Sequence, residues 1–228
     1  MRFLLITEAR SGTHMLRGVF KTHSDIVGFA DYRNDLVGAK GGLVGFLTNL
    51  YSGVPAESIF GAFTHFGEVR RRSQIEMSGW IKEDWKSLGE IHDHVITLTR
   101  RCILRRYLSL ELARKKNDPN WSCDTPRNSN PPPLDFSLDE FLGWHHKTKQ
   151  IKQEISKLLK PNYSIVYEDL VNDWVGTMRG VYDHLGLQWD NPRASSFQQE
   201  TRPLEDIVKD WDLALRNAAI IGVDLLNI

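Results

Sequence analysis

The chain has 228 residues, and its 29 Lys and Arg are matched by 29 Asp and Glu, so the formal net charge is zero. That balance argues against a bulk nucleic-acid or membrane-surface binder, which carries a net positive footprint. With 41% hydrophobic and 25% charged residues, disorder, collagen and coiled coil are excluded, and the length suits one α/β domain or two small ones.

Cys102 and Cys123 are too few for a disulfide framework and lack the paired spacing of a zinc site, which points to a reducing, cytoplasmic compartment. The longest apolar run near the start, Phe3 to Ile6, is far shorter than the roughly 20 residues of a membrane span. It makes no signal peptide.

Phe3-Leu4-Leu5-Ile6 predicts a strand buried on both faces of a parallel sheet. The polar turn Ala9-Arg10-Ser11-Gly12-Thr13-His14 follows, and then Met15, Leu16, Val19 and Phe20 fall at helical spacing. A strand, loop and helix in this order aim the N–H groups of Ser11 to His14 out of the positive end of the helix, which makes an anion cradle. Gly12 allows close approach of a ligand, Ser11 and Thr13 offer hydroxyls, and Arg10 supplies a fork-shaped charge. The competing interpretation is that Ser11 or Thr13 merely caps the helix. The Walker pattern is absent, Gly38 to Gly45 does not supply it, and no Gly-x-Gly-x-x-Gly follows the first strand. Kinase and dinucleotide-binding alternatives lose ground accordingly.

His92-x-His94 and His145-His146 have no Cys or carboxylate set at ligand spacing, so they are expected to be structural or surface histidines. His94 to Thr99 predicts a second buried strand ending at Arg100-Arg101, and Ile103 to Lys116 a helix with Leu104, Leu108 and Leu112 in line. Arg100 then lies at the carboxyl end of a strand and Ser109 on the next helix, where open α/β sheets collect ligands, so both basic elements are expected to share one crevice. Most of Arg105, Arg106, Arg114, Lys115 and Lys116 read as a solvated face. The stretch 117–137 is polar and turn-rich, with Trp121 and Pro131 to Pro133, and forms either a lid or a floppy excursion. Leu138 to Leu159 predicts a long amphipathic helix ended by Pro161, and Tyr163 to Tyr167 a strand. Val208 to Ile228 is a terminal helical region whose apolar residues dock on the core or on a second subunit, giving a homodimer in the latter case.

Arg10-Ser11-Gly12-Thr13 resembles the 5′-phosphosulfate loop of sulfotransferases that use 3′-phosphoadenosine 5′-phosphosulfate (PAPS), and Arg100 with Ser109 resembles their 3′-phosphate site. Ile165-Val166-Tyr167-Glu168-Asp169-Leu170, followed by His184-Leu185-Gly186-Leu187, is similar to the family's "YEDL…FLGL" segment. The run from Arg100 through Ser109 to Trp121 looks most like the bacterial trehalose sulfotransferase branch.

The resemblance implies a single P-loop-like α/β domain with a mostly parallel sheet flanked by helices. It also implies PAPS as co-substrate, no metal, and a small-molecule hydroxyl acceptor, with carbohydrate a candidate. Arg10, Ser11, Gly12, Thr13, His14, Arg100 and Ser109 would bind the donor, and Arg202 in a late basic loop would complete the 3′ site. The branch's catalytic Glu falls on Asp31 in Ala30-Asp31-Tyr32, with His14 as the rival base and Arg10 neutralising the leaving phosphate. Gly61-Ala62-Phe63 stands where that branch has Gly-x-Lys, so the lysine's acceptor contact is lost. Outside this resemblance, a kinase-like phosphotransferase and a non-catalytic nucleotide-binding module are the alternatives.

Overall fold

The computed structural model describes residues 1–31, 42–65, 82–115, 133–193 and 202–226. Among them, strands β1 (Arg2–Thr7), β2 (Ile26–Asp31), β3 (Ile59–His65), β4 (His94–Thr99) and β5 (Tyr163–Val166) form one parallel sheet in the order β2-β3-β1-β4-β5. The helices in chain order are α1 (Thr13–Thr22), α2 (Gly42–Ser52), α3 (Lys82–Ile91), α4 (Ile103–Lys115) and α5 (Leu138–Leu159), then α6 (Tyr167–Asn172), α7 (Trp174–Leu185), α8 (Leu204–Ile207) and α9 (Trp211–Ile220). The chain divides into two compact units, Met1–Thr99 with Gln150–Ala194 and Arg100–Lys149 with Ser195–Ile228.

The first unit holds the sheet. β1 lies at its centre, paired on both sides, which is why Phe3 to Ile6 is uninterrupted by polar residues and at most 1% exposed. On one face Phe3 meets Phe20 of α1 edge-on at 5.1 Å, and Phe29 stacks on Phe63 at 5.9 Å. Such pairs contribute about 0.5–1.5 kcal/mol each beyond their burial. Gly61 serves this cluster, because a Cβ there would run into the rings of Phe3 and Phe29. On the opposite face Leu4, Ile6, Ala62 and Val95 pack with Trp85, Leu88, Ile155 and Leu159.

The strand order also selects a place for ligands. The connection after β1 leads to β2 on one side of the sheet and the chain after β4 leads to β5 on the other, so the carboxyl ends of β1 and β4 flank a topological switch point. Their pairing continues past β1, where the Glu8 N–H donates to the Leu98 carbonyl at 3.2 Å.

β5 stops at Val166, one residue short of the predicted strand, and Tyr167 opens α6 with Glu168 and Asp169 in its first turn, where the helix dipole favours acids. His184-Leu185-Gly186-Leu187 is a helix stop. Gly186 adopts φ 61 after α7, and the Leu187 N–H donates to the Tyr182 carbonyl at 2.9 Å, the six-to-one bond of a Schellman ending. His92 is a satisfied core histidine: its Nδ1–H donates to the Leu88 carbonyl at 2.7 Å and its Nε2 accepts from the Tyr51 hydroxyl at 2.9 Å. Burial lowers its pKa to about 4.

The second unit is built on α4, α8, α9 and the residues of α5 up to Lys149, around Leu104, Tyr107, Leu108, Phe141, Trp144 and Ile207. Arg106 corrects the expectation of a solvated basic face. It is 1% exposed, with its guanidinium carbon 4.6 Å from the centroid of the Trp144 ring. A weakly hydrated planar cation tolerates this burial because the indole face attracts it. α5 begins where the Ser137 hydroxyl accepts from the Glu140 N–H at 3.3 Å, and it gives way to Lys160 at φ 49 before Pro161. Of the predicted loop at 117–137, residues 117–132, including Trp121, lie outside the described residues; Leu134 bridges to Val208. No helix among the described residues is long and apolar enough to cross a membrane.

Candidate active site

The loop after β1 is shaped by two left-handed residues, Arg10 at φ 66 and Gly12 at φ 85. Gly12 is the N-cap of α1, and no side chain caps that helix. Simple capping by Ser11 or Thr13 is therefore not what these residues do. Thr13 instead donates its hydroxyl to Thr7 Oγ1 at 2.9 Å, and Ser11 is fully buried with an Oγ that has no partner. A buried hydroxyl left in this state costs about 1–3 kcal/mol, which a ligand oxygen would recover.

The backbone narrows the predicted cradle by one group. The Ser11 N–H donates to the Glu8 carbonyl at 3.3 Å and the Met15 N–H to the Gly12 carbonyl at 3.0 Å, so the cradle at the start of α1 is reduced to the N–H groups of Gly12, Thr13 and His14. Arg10 is half-buried and His14 exposed, so His14 reaches the solvent side of the helix start. Glu8 is a buried carboxylate at the carboxyl end of β1 and pairs with Lys152 of α5 at 3.6 Å.

Two residues that the sequence reading passed over join this edge. His65, the last residue of β3, lies opposite Thr7 in the parallel register, and its Nδ1 is 2.6 Å from Thr7 Oγ1. Thr13 donates to the fully buried Thr7, so Thr13, Thr7 and His65 form one hydrogen-bonded chain at this edge. Arg17 of α1 lies over the Phe63 ring at 4.9 Å, two residues from His65. A polar residue ending an apolar strand was the only signal for His65, and nothing local marked Thr7 as its partner.

Asp31 is the last residue of β2 and pairs in register with Phe63, so it occupies the same carboxyl edge, one strand beyond His65. Its side chain lies outside the described residues, as does Tyr32. Gly61-Ala62-Phe63 falls inside β3 rather than after it.

In the second unit, Arg100 and Ser109 line the same small pocket. Both are about nine-tenths buried and share that lining with Arg105, Leu108, Leu112 and Ile207. Arg105, expected on a solvated face, belongs to this pocket, and its Nη1–H donates to the Arg202 carbonyl at 3.1 Å. Arg202 is thereby anchored beside the pocket lining through its backbone. Two guanidinium groups and a hydroxyl over an apolar floor suit a tetrahedral oxyanion.

The sequence profile of the Sulfotransferase family matches residues 94–191. The matched segment runs from the start of β4 past α7 and contains Arg100, Ser109, Tyr167 to Leu170 and Gly186. The loop from Arg10 to His14 lies outside it. Among solved structures, the chain is similar to a sulfotransferase from Alicyclobacillus acidocaldarius, with 14% identity over 97% of this chain and 96% of that one and a TM-score of 0.49. Comparison with curated proteins finds no match. Among the described residues, no three His, Cys, Asp or Glu side chains gather as a metal site.

Proposed function

We propose that the chain is a PAPS-dependent sulfotransferase acting through one α/β domain, with a hydroxyl, carbohydrate foremost, as acceptor. The observation that carries this reading is the pair of anion sites. One is the Gly12 loop with the orphaned Ser11 hydroxyl, and the other is the Arg100–Ser109 pocket. A donor with an anionic group at its 5′ end and another at its 3′ position calls for two such sites.

In this reading Arg10 and the N–H groups of Gly12, Thr13 and His14 hold the 5′-phosphosulfate and neutralise the charge that grows on the leaving phosphate. Ser11 Oγ gains its missing partner there. Arg100, Arg105 and Ser109 bind the 3′-phosphate, with Arg202 alongside. Asp31 takes the acceptor proton, a contribution typically worth about 10²–10⁴-fold, and His14 is the rival base. His65, beside Thr7, adds an imidazole at the same edge.

Calorimetry with 3′,5′-adenosine bisphosphate and with ATP tests the reading. Tighter binding of the bisphosphate is expected, and preference for ATP would overturn it in favour of a kinase-like protein. Turnover of labelled donor with a panel of sugars then separates an enzyme from a binding module.

A further inference from the structure

His94, the first residue of β4, and His184, in the last turn of α7, meet at the amino edge of the sheet although 90 residues separate them. His94 Nδ1 lies 3.0 Å from His184 Nε2, with the rings nearly perpendicular and their centroids 4.6 Å apart. Asn162 Oδ1 lies 3.3 Å from the same Nε2.

That spacing is informative. A linear N–H···N bond of this length would hold the centroids about 5.3 Å apart, whereas two nitrogens bound to one point at the usual ~2.05 Å metal–nitrogen distance hold them at about 4.7 Å. The observed separation matches the second arrangement. The nitrogen separation corresponds to a bite of about 94°, close to the right angle of square-planar or octahedral ions, while a tetrahedral ion needs about 3.3 Å.

The surroundings hold two of the three groups in place. Tyr163 stacks on the His184 ring at 4.6 Å. Asn162 Oδ1 accepts from the Val95 N–H at 3.0 Å, and its Nδ2–H donates to the Asp93 carbonyl at 3.4 Å, so its oxygen is kept towards the histidines.

We propose that His94 Nδ1, His184 Nε2 and Asn162 Oδ1 bind a divalent first-row transition metal ion with the geometry of nickel or copper(II). Both imidazoles bind as neutral ligands. The proton that His184 now holds between the rings moves to its Nδ1 through water, which the partly exposed cluster admits. The ion braces β4, the residues leading into β5, and α7 at the edge opposite the anion loop, and it takes no part in transfer. The proposal is independent of the sulfotransferase reading.

Titration of the purified chain with nickel alone, followed by calorimetry, is expected to give one ion per chain. His94→Gln and His184→Gln should each weaken binding by about tenfold or more, and Asn162→Ala by less. Replacing His145 and His146 together by Gln, the other histidine pair, should leave it unchanged. Undiminished binding in both single variants, or loss only in the His145 and His146 variant, overturns the site. Should a variant fail to fold, carbethoxylation of the wild-type chain decides: nickel must protect both His94 and His184, and equal labelling with and without nickel refutes the proposal.

Discussion

The ring of Tyr167 lies directly against Gly12: a Cβ on that glycine would sit 2.7 Å from Tyr167 Cδ2 and 2.9 Å from Cε2. The first residue of α6, buried to 2% exposure, thus forms the floor under the anion loop after β1. The "YEDL" motif and the loop, which the sequence presents as separate signals, are one packed feature.

Gly12→Ala should accordingly damage the loop twice. The φ of 85 costs an L-residue about 1–2 kcal/mol, and the added methyl must displace a buried ring. Chemical denaturation should register a loss of about 2–4 kcal/mol in total, and calorimetry should show bisphosphate binding abolished. Wild-type affinity in this variant would separate the loop from the ligand.

Ser11→Ala is expected to move stability and affinity in opposite directions. Removing a buried hydroxyl that lacks a partner leaves the ligand-free chain unchanged or about 1 kcal/mol more stable. Affinity for 3′,5′-adenosine bisphosphate should fall by about tenfold, since the ligand loses a donor. Paired denaturation and calorimetry check both halves.

Arg100→Ala should discriminate between nucleotides. A charged hydrogen bond contributes about 1.5–3 kcal/mol, so bisphosphate binding should weaken by roughly 10- to 100-fold. Binding of 5′-AMP, which has no 3′-phosphate, should change little, and equal losses for both nucleotides would place Arg100 elsewhere.

Asp31→Asn should reduce turnover of labelled donor by about 10²-fold or more with product affinity preserved. Near-normal turnover would remove Asp31 from the mechanism and leave His14→Ala as the next test.

His92 makes stability depend on pH. Its folded pKa, about 4, lies below the 6.5 of an unperturbed histidine because burial disfavours the charged ring. Between those values the unfolded chain binds the additional proton. Stability is therefore fully present above about pH 6.5 and falls as the pH drops towards 4, by about 3 kcal/mol in all. Urea midpoints at pH 5 and 7 should differ more in the wild-type chain than in His92→Gln, which carries no titrating ring.

Local patterns carried most of the fold. The unbroken apolar run Phe3 to Ile6, the helical spacing from Met15 to Phe20 and the stretch Leu138 to Leu159 each became the expected element, because periodicity and turn residues act over a few positions. The short β5 was misjudged by one residue: β-branched and aromatic residues continue into Tyr167, while the acids after it favour a helix start.

Residue order alone determined that a glycine turn joins the first strand to a helix, and that Arg100 ends a strand with Ser109 on the helix after it. Tertiary structure decided which of these groups are buried and whom they meet. Tyr167 reaches Gly12, Thr7 reaches His65, and Arg106 goes under Trp144 where a helical pattern showed only another cation. The reason is physical: local spacing sets backbone shape, but desolvation and hydrogen-bond partners come from residues far apart in the chain, and those two terms give a polar side chain its role.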